Sequence, residues 1–191
     1  MSIVSDIEKL KKEKNAVILA HYYVDEDVQD VADYIGDSFY LSKVATKVSQ
    51  DRIIFAGVEF MGESAKILNP KKRVFMPDMN ADCPMAHMAD KDEILALREK
   101  YDDIAVVCYI NSTAELKKYS DVCVTSSNAV KIVKNLPNKN IFFIPDRNLG
   151  SYVAKQCPDK NFIFNNGCCP RHVVITKDMV LKAKELHPEA R

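Results

Sequence analysis

Ala16-Val17-Ile18-Leu19-Ala20-His21-Tyr22-Tyr23 is an apolar run that ends in three ring-bearing polar side chains, and it returns as Ile104-Ala105-Val106-Val107-Cys108-Tyr109-Ile110-Asn111. The shift is 88 positions and continues without a gap beyond these runs. Asp33 falls on Asp121, Ser38 on Ser126, Lys43 on Lys131, Ile53 on Ile141, Phe55 on Phe143 and Gly62 on Gly150. The polar groups that close the runs also match, His21 with Tyr109 and Tyr23 with Asn111. Each copy then ends in a cysteine beside a proline, Cys83-Pro84 and Cys169-Pro170. Self-similarity at a fixed period marks a repeated structural unit. This period is too long for a solenoid repeat and suits a small α/β domain.

Within each copy the pattern alternates helix and strand. An amphipathic helix over 7–14 runs into the first apolar strand, and its counterpart over 93–100 runs into the second. Further strands are predicted at 17–20, 38–40, 52–56 and 73–76, with helices over 26–34, from 40 to 48, and over 59–68. Asn69-Pro70 stops the last of these, because proline offers no amide and crowds the preceding turn. Ser5 to Glu8 and Ser112 to Glu115 read as capping boxes. The strands are short continuous apolar runs, the signature of parallel sheets buried on both faces. Strands alternating with helices imply right-handed βαβ units. The expected fold class is therefore α/β, with repeated three-layer αβα domains and short parallel sheets. The units are 1–86 and 87–172. A third helix over 178–186 has no strand after it, so 173–191 is expected to open a truncated third repeat or to pair with a separate third domain.

Composition narrows the function. Net charge is zero, which offers no basic face for nucleic acid. No apolar run approaches the roughly 20 residues of a membrane span. The N-terminal residues lack the pattern of a signal peptide. The expectation is a cytoplasmic protein whose six cysteines are reduced, ligating or catalytic.

In open parallel sheets ligands sit beyond the carboxyl ends of the strands. His21 and Tyr23 stand there in the first copy, Tyr109 and Asn111 in the second. Ser38 and Ser126 precede helices; each reads either as an N-cap or as part of an anion site at the helix start. Cys83 and Cys169 are equivalent and isolated, without the Cys-x-x-Cys spacing of zinc ribbons or ferredoxins. They read as loop thiols or as two of three converging ligands, since a third repeat would end in a third cysteine. Three thiolates on one axis suit a [4Fe-4S] cluster with one iron open as a Lewis acid. His172 lies three residues after Cys169, within reach of such a centre. Cys108, Cys123 and Cys157 read as structural.

Taken together, Ala20-His21-Tyr22-Tyr23, Gly36-Asp37-Ser38, Cys83-Pro84-Met85-Ala86, Tyr109-Ile110-Asn111-Ser112-Thr113, Thr125-Ser126-Ser127-Asn128, Pro145-Asp146-Arg147-Asn148-Leu149-Gly150 and Asn166-Gly167-Cys168-Cys169-Pro170 resemble the quinolinate synthase family, iron-sulfur enzymes of de novo NAD biosynthesis. The motifs come in order along nearly the whole chain. The resemblance implies a pseudo-threefold arrangement of three such domains, of which two copies are present here. It implies a [4Fe-4S] cluster held by one cysteine from each, and condensation of iminoaspartate with dihydroxyacetone phosphate. Cys83 and Cys169 would then be cluster ligands. His21, Ser38, Tyr109, Asn111 and Ser126 would bind substrate, and Tyr23 and His172 would assist proton transfer. The third cysteine and a His-x-Glu substrate motif of the family are not in this sequence, and the family often carries histidine where Cys168 stands.

Two other readings stand beside this one. One is a module, or a subunit needing a separate third domain, that binds carboxylate or phosphate without catalysis. The other is a zinc protein using Cys83, Cys169 and His172. An aspartate-oxidising enzyme upstream is an expected partner, as is a second copy of the chain, through the face a third domain would cover.

Overall fold

The structure is a computed structural model and describes residues 2–190. The chain runs α1 (Ile3–Glu13), β1 (Ala16–His21), α2 (Glu26–Asp30), β2 (Tyr34–Gly36), α3 (Ser38–Lys47), β3 (Arg52–Ala56), α4 (Glu59–Leu68) and β4 (Arg73–Phe75), then a 3-10 turn at Pro84–His87. A second round follows: α5 (Lys91–Lys100), β5 (Ile104–Tyr109), α6 (Ala114–Lys118), β6 (Val122–Val124), α7 (Ala129–Asn135), β7 (Asn140–Ile144), α8 (Arg147–Gln156) and β8 (Asn161–Phe164). Two more helices come last, α9 (Pro170–Val173) and α10 (Lys177–Leu186). The strands form two four-stranded sheets, ordered β2-β1-β3-β4 and β6-β5-β7-β8, and every pairing is parallel. The α/β class and the repeat expected from the sequence are both present.

Alternation along the central strands explains the layers. In the second sheet Ala105, Val107, Ile141 and Phe143 pack with Ala129 and Val133 of α7 and Val153 of α8. Their neighbours Val106, Cys108, Phe142 and Ile144 face the other way, against Ile94 of α5 and Leu116 of α6. Successive side chains point to opposite faces of a sheet, so helices on both sides leave no apolar face to water. The first sheet repeats one half of this plan, Val17, Leu19, Ile53 and Phe55 packing under α3 and α4.

The aligned aspartates have one structural job. Asp33 Oδ2 accepts the Ile18 amide at 2.8 Å, and Asp121 Oδ2 accepts the Val106 amide at 2.7 Å. Lys11 pairs with Asp33 and Arg98 with Asp121, both at 2.9 Å. In each repeat a carboxylate thus takes an amide of the central strand and is neutralised by the opening helix.

Three local expectations are corrected. The short strand expected at 38–40 lies at Tyr34–Gly36. Residues 38–40 open α3, because Asp37 caps that helix, its Oδ1 accepting the Tyr40 amide at 2.7 Å. The box expected at Ser5–Glu8 gives way to Ser2, whose Oγ accepts the Ser5 amide at 3.3 Å and starts α1 earlier. At Ser112–Glu115 the cap is Thr113, while buried Ser112 donates to the Tyr109 carbonyl at 2.7 Å.

Candidate functional site

The sheet order leaves a crevice at the carboxyl ends of β1 and β3, and again at β5 and β7, where connections leave in opposite directions. Pairing runs one amide past the strand ends there. The Tyr22 amide donates to the Gly36 carbonyl at 3.3 Å, and its counterpart Ile110 to Val124 at 2.8 Å. This holds His21–Tyr23 and Tyr109–Asn111 at the rim.

The cysteine loops are hung in the same way in both repeats. The first amide of α4, Glu59, donates to the Ala81 carbonyl at 2.8 Å, and the first amide of α8, Arg147, donates to Gly167 at 2.8 Å. Both acceptors lie two residues before the cysteine. Cys83 and Cys169 then each occupy the N-cap position of a short turn that begins with proline. Both thiols are half-buried and free.

Tyr109 ties these parts together. Its phenol is pushed up to about 12, first by burial and then by the negative charges of Asp146, Cys169, Cys83 and Tyr23. The residues that raise it come from both repeats, so Tyr23, Cys83, Tyr109 and Cys169 form one electrostatic neighbourhood. Tyr109 therefore stays a neutral hydrogen-bond donor at physiological pH. Asp146, buried at the N-terminus of α8, accepts the Asn148 amide at 2.9 Å and the Leu149 amide at 3.3 Å. The Asn111 side-chain oxygen is buried with no hydrogen-bond partner. Such a group is costly to leave unmade, and it marks a place for a donor.

His21 is 9% exposed, and its ring accepts the Tyr23 amide at Nδ1, 3.3 Å away. An accepting Nδ1 puts the proton of the neutral ring on Nε2, where it is free to donate. Burial lowers the proton affinity of the ring, and Asp37 only partly restores it. Tyr23 is 89% exposed and crosses the His21 ring edge-on, with centroids 4.6 Å apart.

The remaining predicted residues are more open. Ser38 is half-buried at the start of α3, where Asp37 does the capping, so its hydroxyl is released for other partners. Ser126 is exposed in the turn before α7, and it is Asn128 Oδ1 that accepts the Thr125 amide at 2.7 Å. His172 is exposed on α9. Glu59, Asp82 and His87 lie within 4.8 Å of one another beside the Cys83 loop. The Asp82–His87 contact of 2.7 Å accounts for two of them as a loop staple.

The sequence reading missed the groups that join the repeats. Glu63 of α4 accepts the Ala114 amide of α6 at 2.7 Å. Lys117 of α6 donates to Ser64 Oγ at 2.8 Å and lies 5.6 Å over the Phe60 ring. Among the described residues no helix is long and apolar enough to cross a membrane.

The donor set suits a thiolate-ligated group. It consists of two equivalent free thiols that both act electrostatically on the Tyr109 phenol, and the same rim carries the unpartnered buried oxygen of Asn111.

A family model described as quinolinate synthetase A protein matches residues 5–191. Quinolinate synthase of Fusobacterium nucleatum is 62% identical over 185 residues, covering 97% of this chain and 62% of its own length. That of Caldicellulosiruptor saccharolyticus is 55% identical over 188 residues, covering 98% and 62%. That of Clostridium perfringens is 54% identical over 187 residues, also covering 98% and 62%. The chain thus spans about 62% of the length of these relatives. By this match the chain belongs to the quinolinate synthetase A family.

Proposed function

We propose that this chain supplies two thirds of a quinolinate synthase site, in which iminoaspartate condenses with dihydroxyacetone phosphate and phosphate and water are released. The observation that carries the reading is the shared neighbourhood of Cys83, Cys169, Tyr109 and Tyr23, drawn from equivalent loops of two repeats. Cys83 and Cys169 would hold a [4Fe-4S] cluster, which supplies an open iron as a Lewis acid for substrate oxygens. The protein's own groups divide the remaining work. His21 offers Nε2–H, and Tyr109 its neutral phenol, to substrate carboxylates. Asn111 presents an acceptor to a substrate N–H or O–H. Ser38 and Ser126, released from capping, hydrogen-bond a carboxylate or the departing phosphate. Tyr23 and His172, both exposed, carry protons in and out.

The substrates, an upstream aspartate-oxidising partner and a cytoplasmic setting come with this reading. A purely ligand-binding module is disfavoured by the paired thiols, which such a module does not need. A zinc site at Cys83, Cys169 and His172 would take its third ligand from an exposed residue of α9.

The test is iron and sulfide content with electronic absorption on anaerobically reconstituted chain, beside Cys83→Ala and Cys169→Ala. The expected result is a brown protein with iron and sulfide in equal amounts, lost in either variant. Quinolinate formation is then assayed with the chain extended to the length of its relatives, and Tyr109→Phe should lower it. A colourless parent that takes up zinc stoichiometrically, with loss on His172→Ala, would replace this reading with the zinc one.

A further inference from the structure

A second pair of cysteines lies away from the candidate site. Cys108 of β5 and Cys123 of β6 are register partners in adjacent parallel strands. Directly paired residues present their side chains on the same face. Neighbouring strands run about 4.8 Å apart, inside the Cα separation of about 4.4–6.8 Å that a disulfide accepts. The two positions differ in a useful way. Cys108 is fully buried, its thiol donating to the Tyr109 carbonyl at 3.4 Å, whereas Cys123 is exposed on the edge strand.

We propose that Cys108 and Cys123 form a dithiol that a peroxide closes to a disulfide, making the β5–β6 edge a modification site of this chain. Reactivity of a thiol toward peroxide follows its thiolate character and its exposure. Cys123 has both. Its thiol is lowered to about 7, first by the neighbouring Cys108 thiol and then by the Lys117 ammonium, against the opposing effect of burial. Cys108 moves the other way, well above the ordinary value, because its partner thiol and burial both favour its neutral form. The groups facing this pair are Ser112 and Ser120, Lys117, and, behind Lys117, Glu63 of the first repeat. One member is thus set to attack and the other to resolve.

The steps balance. Cys123 thiolate attacks one peroxide oxygen, the O–O bond breaks, and the departing hydroxide takes a proton to become water. Cys108 sulfur then attacks the Cys123 sulfenic sulfur. The S–O bond breaks, and the leaving hydroxide takes the Cys108 proton as a second water. Two thiols lose two electrons and one peroxide becomes two waters. The new bond ties the edge strand to β5 immediately before Tyr109.

The test uses reduced chain treated with hydrogen peroxide, blocked with iodoacetamide and digested with trypsin without reduction. Cleavage after Lys100, Lys117, Lys118 and Lys131 isolates Cys108 in peptide 101–117 and Cys123 in peptide 119–131. The expected product is these two peptides joined, short of their summed mass by two hydrogens, and released by dithiothreitol. It should vanish in Cys123→Ser, a change on an exposed edge that leaves the core intact. Cys123 recovered as sulfinic acid or as the alkylated thiol, with peptide 101–117 unlinked, would overturn the proposal. So would a disulfide from Cys123 to any other cysteine. A second readout is the pH dependence of Cys123 alkylation. Its midpoint should lie near about 7 and rise in Lys117→Met. A midpoint at the ordinary thiol value of about 8.5 in the parent would also sink it.

Discussion

Gly62 and Gly150 hold the same position in the two repeats, inside α4 and α8, yet they face different neighbours. A Cβ on Gly62 would meet the Met76 thioether, the far end of a flexible side chain. A Cβ on Gly150 would come within 2.9 Å of both Phe143 and Phe164. Phe143 is fully buried and has nowhere to move. Replacing glycine by alanine inside a helix is worth up to about 1 kcal/mol, while overpacking a rigid core costs about 1–3 kcal/mol. Gly150→Ala should therefore lower the urea midpoint clearly, and Gly62→Ala should leave it unchanged or raise it. Equal losses in both would mean that helix–sheet distance, not the nature of the neighbour, sets the tolerance. The same scale governs the response to acid. The folded state holds the His21 ring below its ordinary proton affinity, chiefly by burial. The unfolded chain then binds this proton more readily, so the contribution is present above about pH 6.5 and is lost as pH falls through the folded value. His21→Asn should flatten the fall in stability below about pH 6.5, read from denaturation midpoints across that range. An unchanged slope would assign the acid sensitivity elsewhere.

Elements show what the sequence made legible. The central strands β1, β3, β5 and β7 were readable because burial on both faces demands an unbroken apolar run. Ordinary periodicity then placed the helices around them. β2 was misread because Tyr34-Ile35-Gly36 is too short to display a period, and because Asp37 competes for the α3 amides. The equivalence of Cys83 with Cys169, and of His21 with Tyr109, was legible in the repeat itself. Glu63 and Lys117 were not, since on one helix each reads as an ordinary solvated charge. Their role exists only because α4 and α6 come from different repeats. Glu63 supplies the acceptor for Ala114, the first amide of α6, while the Thr113 cap takes the Leu116 amide, so the two together hold the start of this five-residue helix. Glu63→Ala should cost about 1–3 kcal/mol, the penalty for a polar group left without its partner. Glu63→Gln keeps an acceptor oxygen and should recover most of this in equilibrium urea unfolding. Similar losses in both would show that charge, not the hydrogen bond, matters at this joint.

At the scale of the whole molecule, we propose that 1–86 and 87–172 are the working units and that 173–191 stands apart from them. The joint between the first two is polar, made by the donation of Ala114 to Glu63 and of Lys117 to Ser64. α10 differs in kind. It is ten residues long, well capped by Thr176, and buries none of its side chains. Isolated helices shorter than about 12–15 residues are barely stable in water, and capping contributes only about 1 kcal/mol. Met179, Val180, Leu181 and Leu186 are exposed there, with Val173, Val174 and Ile175 just before them. Contiguous apolar surface of this kind favours association. Two outcomes follow for amide exchange. In dilute solution the amides of α10 should exchange far faster than those of β5 and β7. As concentration rises they should gain protection together with an increase in molar mass by light scattering, because a second copy covers the apolar side chains. Met179→Lys and Leu181→Glu, both on exposed positions, should abolish that gain without altering exchange in the sheets. Slow exchange in α10 at every concentration, with a constant monomer mass, would mean that the helix is held by intrachain contacts after all.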